Sequence, residues 1–402
     1  MDYNIIIVLL SICIVLSYFF NEIAKRTNVP SVLMLIVSGV ILGQFIEYFP
    51  QYNINFFPHL KILGTIGLIM IVLEGALDLE LTKDKRGLIG KATLIAVLGI
   101  FGSISFTAAL FHFLLDMNIS ISLLYATPLA VISSAIVIPS VVGLMDFDKE
   151  LLIYESCISD IIGIMVFNLI LSVIQNQNVG GSLTDFGIEF TLTVVVSFLV
   201  GIGLVLLFKF LNAKVKLFFF ISILILIYAL GKMIHLSPLV LILMFGLILK
   251  NHHLVFIGPL KNIISRMEFI KMEKDFHIIT RETAFVLRTF FFIVFGLTID
   301  LFSLVNIEVL IISLMVFIGL HLVRIILLKF FAKEGSSVIE YVAPRGLITI
   351  LLFYSIPKDL IANSFEPGII LWIIIVTSIY MTIGLVKYSD TNSEDKEYEA
   401  SI

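Results

Sequence analysis

The chain has 402 residues, of which 59% are hydrophobic and only 14% charged, against about 25% charged in soluble domains. With a mean hydropathy of +1.12 it reads as an all-α polytopic membrane protein, and no soluble domain fits. The net charge of −4 implies no nucleic-acid partner; Cys13 and Cys157 lie in apolar runs and suggest neither a disulfide framework nor a zinc site.

A helix needs about 20 apolar residues to cross the hydrocarbon. On that length, thirteen transmembrane helices follow in chain order. The first, 3–20, is kept as a mature helix because Met1-Asp2-Tyr3-Asn4 lacks the basic start of a signal peptide. Then come 31–48, 60–79, 88–115, 121–145, 151–174, 187–211, 215–233 and 237–250. Residues 251–282 alternate apolar positions with Lys261, Arg266, Lys271 and Lys274, which suits an amphipathic helix on the membrane surface linking two bundles. The last four spans are 283–301, 303–331, 339–357 and 367–387. The acidic tail 389–402 is expected to be cytoplasmic and disordered.

Basic residues orient the chain. With the N-terminus outside, twenty of the 26 Lys and Arg fall in inner loops and the C-terminal tail, and three in outer segments. Arg288, Arg324 and Arg345 lie within spans. This bias follows the positive-inside rule and puts the C-terminus in the cytoplasm, with a cell membrane, the prokaryotic inner membrane, as the expected location.

Two spans carry helix-interrupting chemistry. The fifth contains Ser133-Ser134 and Pro139; the twelfth contains Ala343-Pro344-Arg345-Gly346. They are seven spans apart and so cross in opposite directions. Paired interruptions in inverted halves point to a transport site at the midplane, where opened helices leave carbonyls and helix ends free.

Asp160 lies in the sixth span, roughly 13 Å from its cytoplasmic end at a helical rise. An ionised group at the bilayer centre costs at least ~2.5–3.5 kcal/mol, so Asp160 must be neutral, paired or bound to something. A carboxylate that takes a proton or a cation meets that condition in two ways. Glu155, Glu74 and Arg345 stand one level nearer the cytoplasm, roughly 6–9 Å from their span ends. Ser156 shares a helix face with Asp160, and Ser159 with Glu155. Together with Ser133 and Ser134 they offer oxygen ligands suited to a hard monovalent cation. Glu155 and Arg345 read as a structural ion pair. Arg288 and Arg324 read as residues that snorkel or pair near inner helix ends, and His112 and His321 as lone histidines without a role.

Six segments in order resemble the monovalent cation:proton antiporter superfamily, in particular its sodium/proton exchanger branch. They are Asn28-Val29-Pro30-Ser31 with Gly39 to Gly43, Leu73-Glu74-Gly75-Ala76-Leu77, Ser133-Ser134-Ala135 with Val137-Ile138-Pro139, Glu155-Ser156-Cys157-Ile158-Ser159-Asp160, Phe290 to Leu297, and Ala343-Pro344-Arg345-Gly346. The resemblance implies an inverted-repeat fold with two crossed discontinuous helices. It implies a core of about 88–174 and 303–387 and a dimer panel of about 1–80 and 187–301, in one transmembrane unit spanning 1–388. It implies a homodimer with no cofactor, exchanging a monovalent cation, Na+ first, for H+ by alternating access. Asp160 would bind each in turn, with Ser156 and Glu74 helping to coordinate the ion and Glu155 paired to Arg345. Ser159 stands where the motif has Asn or Asp. With one carboxylate rather than two adjacent ones, exchange is expected to be electroneutral, one proton per cation. The branch's Thr-Asp-Pro is absent from the fifth span, so coordination there falls to Ser133, Ser134 or backbone carbonyls. K+/H+ exchange, a cation channel and a non-transporting sensor on the same scaffold are the alternatives.

Overall fold

The computed structural model describes the backbone of residues 3–27, 29–47, 57–176, 179–210, 217–233, 238–255, 266–298 and 305–400. It contains no strand among these residues. The helices are α1 Tyr3–Thr27, α2 Ser31–Glu47, α3 Phe57–Asp78, α4 Arg86–Leu114, α5 Ile119–Ala130, α6 Ser134–Ser140, α7 Asp146–Asn176 and α8 Val179–Phe210. They continue as α9 Leu217–Met233, α10 Pro238–Lys250, α11 His252–Val255, α12 Arg266–Leu297, α13 Ile307–Phe331, α14 Val338–Tyr341, α15 Leu347–Phe353 and α16 Gly368–Ala400. Each expected span is occupied by one helix, except that the fifth is split into α5 and α6 and the twelfth into α14 and α15.

Among the described residues, α4, the α5–α6 pair, α7, α13 and α16 are long and apolar enough to cross a membrane. Local signals set their ends. Asn118 caps α5 by accepting from Ser120 N–H at 3.0 Å, and Asn306 caps α13 from Glu308 N–H at 3.0 Å. Asp146 and Asp148 occupy the first turn of α7, where negative charge complements the helix dipole.

Two expectations about the backbone change. The surface helix read over 251–282 is not a separate element. From Arg266 the chain runs as one helix into the next span, ending at Leu297, while residues 256–265 of that expectation lie outside the described residues. The acidic tail is not disordered as a whole, because α16 continues helical to Ala400.

The chain packs as two units. One comprises Met1–Gly64, Leu88–Gly163 and Arg288–Ile402; the other comprises Thr65–Gly87 and Ile164–Leu287.

Candidate functional site

The site is built in the first unit, where α5 gives way to α6. Val131, at the end of α5, has φ −74° and ψ 127°, and Ser133, before α6, has φ −82° and ψ 110°. Both are extended, so helical hydrogen bonding stops for three residues. Nothing in Val131-Ile132-Ser133 forbids a helix. Partners from elsewhere in the chain hold the segment open. Ile132 N–H donates to Ser159 Oγ at 3.0 Å, and Ser133 N–H donates to Pro344 O at 2.9 Å.

The second break has a local cause. Pro344 has no N–H and keeps Ala343 out of the helical region. Here the two broken segments meet closely. A Cβ on Gly346 would sit 2.7 Å from Ile136 Cδ1 and 2.8 Å from Ser133 Oγ, so a larger residue would have to displace those side chains. Gly163 does the same for α7, where a Cβ would lie 2.2 Å from Val131 Cγ2. That close approach brings Asp160, one turn earlier on α7, against the opened segment.

Asp160 is 3% exposed. Its Oδ2 accepts from the Ser134 hydroxyl and from Ser134 N–H at 3.3 Å. Its Oδ1 is buried without a hydrogen-bond partner. Ser133 Oγ, on the residue before Ser134, is likewise buried and unpartnered. Ser156 is fully buried and donates to Ile153 O at 3.1 Å, which leaves its lone pairs as acceptors. Ser159 stands in for a longer residue of the exchanger motif, yet its hydroxyl still reaches the opened helix. Glu74 is buried in the second unit, where its charge acts on His277.

The ion pair falls differently from the expectation. Glu155 is bound by Arg324, through Nη1 at 2.7 Å and Nη2 at 3.3 Å, not by Arg345. The remaining Arg324 donors reach Ile339 O at 3.0 and 2.7 Å. Arg345 is claimed by open backbone: its Nε donates to Leu129 O at 2.9 Å and its Nη2 to Ala130 O at 3.4 Å, and its Nη1 to Ala343 O. Leu129 and Ala130 end α5, where carbonyls lack helical partners and carry the negative end of the helix dipole. A guanidinium answers both needs. Glu155, Arg324, Arg345 and Ser159 nevertheless share one cavity of about 20 Å³, room for about one water molecule. Arg288 reaches inward to backbone rather than snorkelling: its Nη1 donates to Ala135 O at 2.6 Å. Arg324 and Arg288 both read in sequence as residues that snorkel or pair: Arg324 pairs with Glu155, and Arg288 reaches a backbone carbonyl instead. For Arg288 the missed signal was Pro139, whose lack of an N–H orphans a carbonyl.

The sodium/hydrogen exchanger transmembrane family model matches residues 8–388. The chain belongs to the sodium/hydrogen exchanger family. It is therefore an integral membrane transporter and not an enzyme, and the ions it handles are substrates, with no cofactor required. Two solved structures of the sodium proton antiporter MjNhaP1 from Methanocaldococcus jannaschii share its fold. One, at pH 8, has 20% identity and a TM-score of 0.68, covering 96% of each chain. The other, an electron-microscopy map, has 19% identity and a TM-score of 0.70, covering 98% of this chain and 97% of that one. A comparison with curated protein sequences returns no match. No group of three or more His, Cys, Asp or Glu side chains placed to hold a metal occurs among the described residues.

Proposed function

We propose that the chain exchanges a monovalent cation, Na+ by preference, for H+ by alternating access, with Asp160 carrying proton or cation in turn. One observation carries this reading: Asp160 is a buried carboxylate with Oδ2 held by Ser134 and Oδ1 without a partner. A buried carboxylate oxygen left unsatisfied is costly. A proton or a cation at Oδ1 removes that cost, and the two compete for the same atom. Ser133 Oγ supplies a second unclaimed oxygen, and Ser156 adds another by its motif position. Glu155 and Arg324 serve as fixed charges.

One carboxylate supports one proton per cation and hence electroneutral exchange. The basic-residue bias supports insertion in the cell membrane with the N-terminus outside, and the family resemblance supports a homodimer formed through the panel helices. Ser159 Oγ accepts from Ile132 N–H at 3.0 Å, a bridge to the broken helix that favours the exchanger reading over a non-transporting sensor.

The test is Asp160→Asn. In everted vesicles holding a pH gradient, added Na+ should collapse the gradient with the unaltered protein and leave it intact with the variant. Full exchange by the variant overturns the reading. Repeating the assay in liposomes with Na+, Li+ and K+, with the membrane potential clamped and unclamped, assigns the ion and the stoichiometry.

A further inference from the structure

Pro139 is the sixth residue of the seven-residue helix α6. In a helix, the carbonyl of residue 135 accepts from the N–H of residue 139, and a proline has none. The Ala135 carbonyl therefore lacks a donor in its own helix. Its neighbours are served locally: Ser133 O accepts from Val137 N–H at 3.0 Å, Val137 O from Val141 N–H at 3.1 Å, and Ile136 O from the Ser140 hydroxyl at 2.7 Å. The one carbonyl that the proline orphans is the one that receives a donor from another element, Arg288 Nη1 of α12 at 2.6 Å.

We propose that Arg288 is a positioning residue for exchange, supplying the hydrogen bond that Pro139 withholds and so fixing α6 where Ser134 meets Asp160. The proposal rests on the reading of Asp160 given above. Its logic lies in where the donor comes from. An N–H at residue 139 would travel with α6 wherever that short helix moved. A donor from α12 ties α6 to a second element instead, and a charged donor makes that tie stronger than a neutral amide would. Ala135 directly follows Ser134, so the tie acts one residue from the group that holds the Asp160 carboxylate.

The test is a double-mutant cycle with Arg288→Ala and Pro139→Ala, since alanine at 139 restores the missing N–H. Arg288→Ala alone should raise the KM for Na+ about tenfold, the scale of leaving a buried carbonyl unsatisfied. Its maximal rate should change less, because the carboxylate itself is untouched. In the Pro139→Ala background, the same Arg288→Ala change should cost less than about twofold, a coupling between two residues expected only if both serve one carbonyl. Equal costs in the two backgrounds overturn the proposal.

A readout independent of transport guards against variants that exchange poorly for other reasons. Amide hydrogen exchange across Ile136–Val141 should accelerate in Arg288→Ala and recover in the double variant, with α13 unchanged. Unaltered protection in Arg288→Ala also overturns the proposal. If Asp160→Asn still exchanges, the Asp160 reading falls, while the protection cycle still judges Arg288.

Discussion

Arg324 and Glu155 form an ion pair whose side chains are 5% and 3% exposed, and losing either partner strands a charge in the interior. Arg324→Met should lower stability by about 3–5 kcal/mol, the cost of breaking a buried pair. Replacing both residues with leucines should cost less than either single change. Thermal unfolding in detergent measures both, and an Arg324→Met variant as stable as the parent would contradict the pairing. At this scale the sequence made Asp160 visible, because a carboxylate deep in an apolar run must be neutralised, paired or bound to an ion. It also marked Ser133 and Ser134, polar residues at mid-span. The partner of Glu155 was not legible. Two arginines occupy the same buried region, and depth along a span does not choose between them. The choice is made by the Leu129 and Ala130 carbonyls, which engage Arg345 and leave Arg324 for the acid. Those carbonyls are open only because α5 ends where it does, a fact of tertiary structure.

The two breaks illustrate the same division among whole elements. Pro344 announces the second in its own sequence. The first lies between Pro128 and Pro139 but at neither, held open by Ser159 and Pro344 from far along the chain. Gly346 joins them, and its substitution tests the joint. Gly346→Ala would force a methyl group to within 2.7 Å of Ile136 and 2.8 Å of Ser133. A loss of about 1–3 kcal/mol is expected from such overpacking, together with reduced exchange in vesicles. Gly143→Ala is the control, since a Cβ there meets nothing within 4 Å; equal effects of the two changes would mean that the close approach does not matter. The elements read least well were those where hydropathy changes and the backbone does not. The α12 sequence switches near residue 283 from amphipathic to apolar, yet its hydrogen bonding runs from Arg266 to Leu297. The acidic tail has few apolar residues for burial, but extending a helix already nucleated in α16 needs only one further bond per residue, and its Glu and Lys residues are good helix formers.

Across the whole molecule, the second unit holds its own cluster of charges. His277 Nε2 meets Asp78 Oδ1 at 2.9 Å, and Lys250 meets Glu273 at 2.7 Å. The hydrogen bond to Asp78 raises the pKa of His277 above its usual 6.5, burial opposes the rise, and the charges of Asp78 and Glu74 add to it while Lys250 counters. A histidine stabilised in its charged form strengthens the fold fully below pH 6.5, and that contribution fades as the pH rises through the folded value. The melting temperature should therefore fall across that window, and His277→Gln should flatten the slope; an identical slope in the variant would exclude the pair as its source. The joint between the broken helices has a further consequence, in time rather than space. The Leu129 carbonyl waits for Arg345, 216 residues later, and Ser133 N–H waits for Pro344. At synthesis rates of about 5–20 residues per second, the fifth span spends roughly 10–40 seconds in the bilayer before its backbone partners exist. The ribosome thus delivers the first break long before the residues that complete it, so its final geometry is reached only when almost the whole chain has been made.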